Sequence, residues 1–440
     1  MGSRFDAPLD RAAAQTLLRE LLGAAIDSAA PELVVPAHLP PAPRGRCVVV
    51  GAGKAAAAMA RTVDAHWKGP LEGLVVAPYG HALEAGRIEV LVAGHPLPDE
   101  AGRIAAQRML DRVRGLGEDD LVLALLSGGG SALLPLPGEG IPWEDLRALT
   151  RTLLVCGASI REINCLRRHL SAIQGGRLAA AAWPARTFTL AISDVPGDRL
   201  EDIASGPTVA DPSTCAEALA VLARHGIEPG EAVRAALASG RGESVKPDDP
   251  RLRRAEARLI AAPRQALQAA AARARAHAIP AHILGDAIEG EAREVGRVLG
   301  AIAREVARHG EPFAPPCVLI SGGETTVTVR GRGRGGRNAE FLLALACALD
   351  GEPGVHAIAA DTDGIDGRDP VDGGAPVAGA LIAPDTLTRA RALCLDAKAM
   401  LADNDAHSFF AALGDAVFTG PTRTNVNDFR AILIESRRRA

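Results

Sequence analysis

Leucine, alanine and isoleucine recur at helical spacing through LDRAAAQTLLRELLGAAIDSAA (residues 9–30), which predicts an opening amphipathic helix. RCVVVGAGKAAAAMARTVDAHW (46–67) then reads as a short β-branched strand, a glycine turn and an Ala-rich helix, and LEGLVVAPYG (71–80) supplies the next strand, a βαβ unit. Further strands are predicted at IEVLVAG, DLVLALLSGG and FTLAISDVPGD, with helical stretches at 101–114, 143–156 and 171–182 between them. This alternation calls for a mostly parallel sheet covered on both faces. After residue 255 the pattern resumes: ARLIAAPRQALQAAAARARAHAIPAHIL reads strand, turn, helix, strand. Strands follow at PCVLISGGETTVTV and GVHAIAADTDGIDG, and helices at NAEFLLALACAL and DTLTRARALCLDAKAMLAD.

Between these halves, ASGRGESVKPDDPRLRR (238–254) is rich in Gly, Pro and charge and has no apolar period. It predicts one domain over 1–240, a second over 255–440 and a linker at 241–254. A chain of 440 residues is also too long for one ordinary core. The halves share an order of motifs: Ser-Gly-Gly at Ser127 and Ser321, Gly-Gly-Arg ending at Arg177 and Arg337, then a strand ending at Asp194 or Asp361. Such an order allows a duplication.

Composition narrows the partners. With 3% aromatic residues and a single Tyr the chain lacks base-stacking surfaces, and a net charge of -4 gives no overall attraction to nucleic acid or an anionic membrane. Any anion site must be local. The seven cysteines are scattered without a C-x-x-C pair, which suits reduced thiols in a cytoplasm. Charged residues Asp6, Asp10, Arg11, Arg19 and Glu20 interrupt any apolar leader, and no later run approaches a membrane span. A soluble cytoplasmic protein is expected, with a homodimer allowed.

In open α/β sheets, ligands bind beyond the carboxyl ends of the strands. The motifs fall at such ends. SGGGS, Ser127 with Gly128, Gly129, Gly130 and Ser131, bares the backbone so that it can pass close to phosphate or carboxylate oxygens; a tight packing turn is the structural alternative. SGGE, Ser321, Gly322, Gly323 and Glu324, repeats the pattern. VVVGAGKAAAAMA fails as a Walker loop, because Val48 and Ala55 stand where Gly and Ser/Thr are required. It fits a dinucleotide turn only as Gly51-x-Gly53-x-x-Ala56, and the next strand runs into Pro78 and Tyr79 rather than an acid. Lys54, a cation at the start of a helix, opposes the dipole and so points to an anion nearby.

Arg337, just before an apolar helix and beside Asn338, is placed to clamp an anion with its fork of donors. Asp194 and Asp198, and then Asp361, Asp363 and Asp366, lie beyond buried strands. Their hard oxygens suit Mg2+, or one could accept a hydroxyl proton, while Asx turns account equally for the outer ones. His95 and His169 lie near glycine-rich loops without zinc spacing and are expected to be structural or to back the residues that touch a ligand.

GAGKAAAAMA, AGHPLPDEAG, LLSGGGSALL, REINCLRRHLSAIQGGRLA, ISDVPGDRLEDIASGPTV, SGGETTVTV, GGRNAEF, DTDGIDG and TGPTRTNVNDF, in this order, resemble the class II glycerate 2-kinase family over nearly the whole chain. The C-terminal part resembles that family's MOFRL domain, and members are often labelled hydroxypyruvate reductase. The resemblance implies an α/β protein of two Rossmann-like α/β/α domains with mostly parallel sheets and an interdomain cleft. It implies ATP- and Mg2+-dependent phosphorylation of D-glycerate to 2-phosphoglycerate, with an NAD(P)H-dependent hydroxypyruvate reductase or a kinase for another small hydroxy acid as alternatives. It further implies Lys54, Asp194 and Arg337 as the catalytic centre. On this reading Gly51, Gly53, Ser127, Gly128, Gly129, Gly130, Ser131, Ser321, Gly322, Gly323, Glu324 and Asn338 bind substrate or phosphate, and Asp361 and Asp363 bind the metal. Two places depart from the family pattern: Arg423 replaces a glycine in TGPTRTNVND, and AAPRQA lacks the Gly and Asn usual at the second-domain turn.

Overall fold

The computed structural model describes residues 9–367 and 375–436. They divide into two units: Pro31–Ala261, and the described residues up to Ala30 together with those from Ala262 onward. Helix α1 (Arg11–Asp27) starts at Asp10, whose carboxylate accepts the Ala13 N–H at 2.7 Å. Its stripe of Leu17, Leu18, Leu21 and Leu22 is buried, and α1 packs on the helix Pro263–Ala276. The opening helix therefore belongs with the C-terminal half, against the expected 1–240 domain. An amphipathic stripe shows that a face is buried but not what buries it.

The expected linker is also corrected. Arg177 Nη2 donates to the carbonyls of Gly242 and Glu243, both at 2.9 Å, and Val245 N–H donates to Gly175 O at 2.9 Å. Residues 241–254 are thus fastened into the Pro31–Ala261 unit, and the strand after them completes that unit's sheet.

That sheet comprises β1 (Cys47–Ala52), β2 (Glu72–Pro78), β3 (Ile88–Ala93), β4 (Leu121–Leu126), β5 (Arg186–Ile192) and β6 (Ala255–Ala261) in the order β3-β2-β1-β4-β5-β6. Every pair is parallel. All residues of β1 and β4 are buried, which explains their unbroken apolar runs. Because the chain leaves β1 in one direction and returns to β4 on its other side, the carboxyl ends of β1 and β4 form the switch point where such sheets bind ligands. Helix α2 (Ala56–His66) follows β1. The helix expected at 171–182 is instead α3 (Ile160–Leu170), a turn with positive φ at Gly175 and Gly176, and a short helix Arg177–Ala182.

The second unit has β7 (Ala281–Gly285), β8 (Cys317–Gly323), β9 (Val355–Asp361), β10 (Gly379–Ile382), β11 (Ala416–Val417) and β12 (Asp428–Ile434), ordered β11-β10-β9-β12-β8-β7. Only β7 and β8 pair in parallel; the other four pairings are antiparallel. A mostly parallel second sheet is therefore corrected to a mixed one. Its strands β8, β9, β10 and β12 are buried throughout, and a doubly buried strand carries no mark of its direction. The motif order shared by the halves is not a shared topology, since β4 and β5 are neighbours whereas β12 lies between β8 and β9. Helix α4 (Arg337–Leu349) covers this sheet through Phe341, Leu342 and Leu345.

Candidate active site

In the first unit, three loops meet beyond β1, β4 and β5. Gly53 takes φ +135°, and a Cβ there would stand 2.2 Å from Ser127 Oγ. Lys54 N–H donates to Gly128 O at 2.9 Å, and Ser127 N–H donates to Ala52 O at 3.1 Å. Ser127 is fully buried, and its hydroxyl accepts the Ala55 N–H at 3.0 Å, satisfying a donor at the start of α2. The two glycine loops are thereby stitched into one surface, with Lys54 at its edge.

The run of three glycines has a specific cause. A Cβ on Gly128 would lie 1.8 Å from Asp194 Oδ2, one on Gly129 3.0 Å from the His95 ring, and one on Gly130 2.7 Å from Ala204 Cβ. SGGGS is bare so that Asp194, His95 and the 203–206 turn can close on it. In that turn Ala204 and Ser205 both hold positive φ, 52° and 56°, and Asp198 holds 54°. Left-handed backbone at non-glycine residues costs about 1–3 kcal/mol each and clusters at working sites. Ser205 Oγ donates to Asn164 Oδ1 at 3.0 Å, which leaves it to accept from the Ser131 hydroxyl at 2.8 Å, tying the loop to α3.

The second unit gathers charge around Arg337 at the start of α4. Its Nε lies 2.7 Å from Asp428 Oδ1, Nη1 2.6 Å from Glu324 Oε1 and Nη2 2.6 Å from Asp361 Oδ2. Burial opposes its charge, but Asp361, Asp428 and Glu324 outweigh that and hold its pKa well above the ordinary value. Asn338 Nδ2 donates to Asp428 Oδ1 at 2.8 Å. The other Asp428 oxygen pairs with Arg430, a fully buried cation that also donates to Gly322 O at 3.2 Å and Thr325 Oγ1 at 3.1 Å and lies over the Phe341 ring. Arg430 gave no signal in sequence, since no strand is predicted over FRAILI and nothing local marks the arginine as buried.

Some predicted residues do other work. Gly51 lies within β1, where a Cβ would meet Leu125 O at 2.3 Å, so its bareness serves strand pairing. Ser321 and Gly322 lie within β8 opposite Arg430 and Phe429, while Gly323 turns with φ +117° against the Ile288 backbone. Asp366 caps α4 by accepting Asn338 and Ala339 N–H, each at 2.9 Å, and Asp363 Oδ1 accepts Ile365 N–H at 2.9 Å in an Asx turn. Asp361 Oδ1 accepts Asp363 N–H at 3.1 Å. Asp361, Asp363, Glu324 and Asp428 supply oxygen donors only, the chemistry that Mg2+ accepts. His169 is buried, with Nδ1 2.8 Å from Cys165 O. The fold also brings it within 4.8 Å of Cys215 and Glu243, but Lys246 Nζ already lies 2.6 Å from that carboxylate.

Comparison with known proteins fits these two groupings. Residues 17–238 match the domain of unknown function DUF4147, and residues 317–428 match the MOFRL family. The chain is 54% identical to a "Putative hydroxypyruvate reductase" of Agrobacterium vitis, covering 96% of this chain and 94% of the relative. It is 40% identical to the D-glycerate 2-kinase of Thermotoga maritima over 93% of this chain and 95% of that one. The crystal structure of a glycerate kinase from Thermotoga maritima superposes with a TM-score of 0.85 at 39% identity, covering 96% of this chain and 99% of that chain. A DUF4147 segment followed by a MOFRL segment, with full-length kinase relatives and the same fold, makes the chain a member of the class II glycerate kinase family.

Proposed function

We propose that this protein transfers the γ-phosphoryl group of ATP to the 2-hydroxyl of D-glycerate, giving 2-phosphoglycerate and ADP. The observation that carries the reading is the loop surface at the switch point, where the Lys54 N–H bonds Gly128 O and the Asp194 carboxylate lies so close to Gly128 that a Cβ would not fit. Phosphoryl transfer asks a protein to align a hydroxyl with phosphorus and to neutralise charge on the moving oxygens. Asp194 orients the 2-hydroxyl and accepts its proton. Lys54 and Arg337 stabilise the charge on the transferring group. Asp361 and Asp363 would hold Mg2+, directly or through water, and the bound ion would neutralise charge on the phosphate oxygens. The glycine loops keep backbone close to the bound anions.

Among the described residues no helix is long and apolar enough to cross a membrane. All seven cysteines are free thiols, and Cys394 is exposed, which favours a reducing cytoplasm as the working compartment.

The name of the Agrobacterium relative raises a reductase reading. A dinucleotide turn needs an acid after β2 for the ribose. Here β2 ends at Pro78, and the next side chain, Tyr79, donates its hydroxyl to Asp99 at 2.7 Å. Two parallel assays separate the readings: ADP release with D-glycerate and MgATP, and loss of nicotinamide absorbance with hydroxypyruvate and NADH or NADPH. ADP release without nicotinamide oxidation is expected. Nicotinamide oxidation alone would overturn the kinase reading.

A further inference from the structure

Helix α3 carries two adjacent arginines with opposite fates. It begins with a capping box between Ser159 and Glu162 and ends at Leu170, so Arg167 and Arg168 lie in its last turn. The helix dipole favours basic residues there as a class. Arg168 is fully committed: Nη1 lies 2.8 Å from Asp202 Oδ1 and Nε 3.1 Å from Asp211 Oδ2, and both carboxylates are buried. Nearby, Arg177 is spent on main-chain carbonyls, including those of Gln174 at 3.0 Å and Glu243 at 2.9 Å.

Arg167 differs from both. Among the described residues it has no carboxylate within 4.0 Å, and its guanidinium makes one hydrogen bond, Nη1 to Asn164 Oδ1 at 3.3 Å. The surrounding protein pushes its pKa down to about 10, with no acid acting in the other direction. A half-buried guanidinium without a counter-charge costs stability unless an anion joins it.

Its position indicates which anion. Asn164 is buried and fixed from three sides: Nδ2 donates to Asp202 O at 3.2 Å, and Oδ1 accepts from Ser205 at 3.0 Å as well as from Arg167. Ser205 holds Ser131 at 2.8 Å, and Ser131 belongs to the loop whose Gly128 lies against Asp194. An unbroken polar chain therefore runs from the glycine loop against the proposed base to Arg167. A 2-hydroxy acid presents its carboxylate on the carbon that bears the reacting hydroxyl. A guanidinium matches a carboxylate with two parallel donors.

We propose that Arg167, oriented by Asn164 and the Ser205–Ser131 pair, receives the carboxylate of the 2-hydroxy acid and so selects acids over neutral polyols. This rests on the kinase reading above. The alternative source of an anion, a nucleotide phosphate, is separated by the test.

Full-length Arg167→Ala and Arg167→Lys are compared with the wild type in steady-state transfer from MgATP and in calorimetric binding of D-glycerate without nucleotide. Loss of a charge-assisted bidentate contact predicts a KM for D-glycerate raised about 10–100-fold in Arg167→Ala, a partial rise in Arg167→Lys, and a KM for ATP within about twofold of wild type. Neutral D-glyceramide should be used by Arg167→Ala and wild type with similar kcat/KM. An unchanged KM for D-glycerate, or a rise confined to ATP, overturns the proposal and leaves the kinase reading intact. A wild type that binds D-glycerate through Arg167 but transfers no phosphoryl group overturns the kinase reading alone. Should Arg167→Ala fail to fold, Arg167→Lys retains the charge and decides on the KM split.

Discussion

Replacing Gly128 with alanine tests whether the geometry around Asp194 governs catalysis. Gly128 does not hold a positive φ, so alanine fits its backbone, and the three atoms nearest the added Cβ all belong to the Asp194 carboxylate. The added Cβ would stand 1.8 Å from Asp194 Oδ2, whereas real Cβ contacts essentially never fall below 3.0 Å, so the carboxylate must retreat by at least about 1.2 Å. A displacement of roughly 1 Å in a catalytic group costs about a hundredfold in turnover. Gly128→Ala should therefore lower kcat about 100-fold while the melting temperature moves by only a few degrees. The assay is ADP release with saturating D-glycerate and MgATP, alongside thermal unfolding. Asp194→Asn supplies the cross-check, since the double variant should be little worse than Asp194→Asn alone if Gly128 acts only through that carboxylate. A folded Gly128→Ala enzyme with kcat within about threefold of wild type would refute the reasoning. So would independent, multiplicative losses in the double variant.

Lys54→Met should reduce kcat by about a hundredfold or more with a smaller change in KM, because a group that meets charge in the transition state is lost. Asp428→Asn leaves the fully buried Arg430 without its carboxylate and should destabilise by about 3–5 kcal/mol in urea unfolding, with Arg337 losing one of its three anchors. Glu162, whose capping bonds to Ser159 and pairing with Arg224 lower its pKa from 4.5 to about 2, adds stability that is complete above pH 4.5. That stability is lost as the pH falls toward 2, so Glu162→Gln should flatten the acid limb of the unfolding midpoint against pH. Removing divalent cations with EDTA should abolish transfer, and excess Mg2+ should restore it.

Strand and glycine-loop signals along Cys47–Ala52 and Leu121–Leu126 were legible because both strands are buried throughout and each runs into a glycine turn. Their adjacency was not, since nothing local tells β1 that β4, not a consecutive strand, will lie beside it. Direction was hidden in the second sheet for the same reason. FRAILI and GALI gave no strand prediction at all, although they form β12 and β10. The linker failed because the backbone at Gly242 and Glu243 is held by Arg177, a partner far away in sequence.

At the site, Lys54, Asp194 and Arg337 stood out by position at strand ends and helix starts. Arg430 did not, and neither did the contrast between Arg167 and Arg168, two identical neighbours that only packing distinguishes. Asp202 and Asp211, far along the chain, claim one arginine and leave the other. The three glycines were read as room for a ligand. The fold shows they also make room for Asp194 and His95, which no spacing rule could reveal.

The most direct measurement is the identity of the product. Protein incubated with D-glycerate, ATP and Mg2+ should give 2-phosphoglycerate by phosphorus and proton NMR, with the phosphorus coupled to the C2 proton. 3-Phosphoglycerate, or no phosphorylated product together with nicotinamide consumption on hydroxypyruvate, would contradict the account.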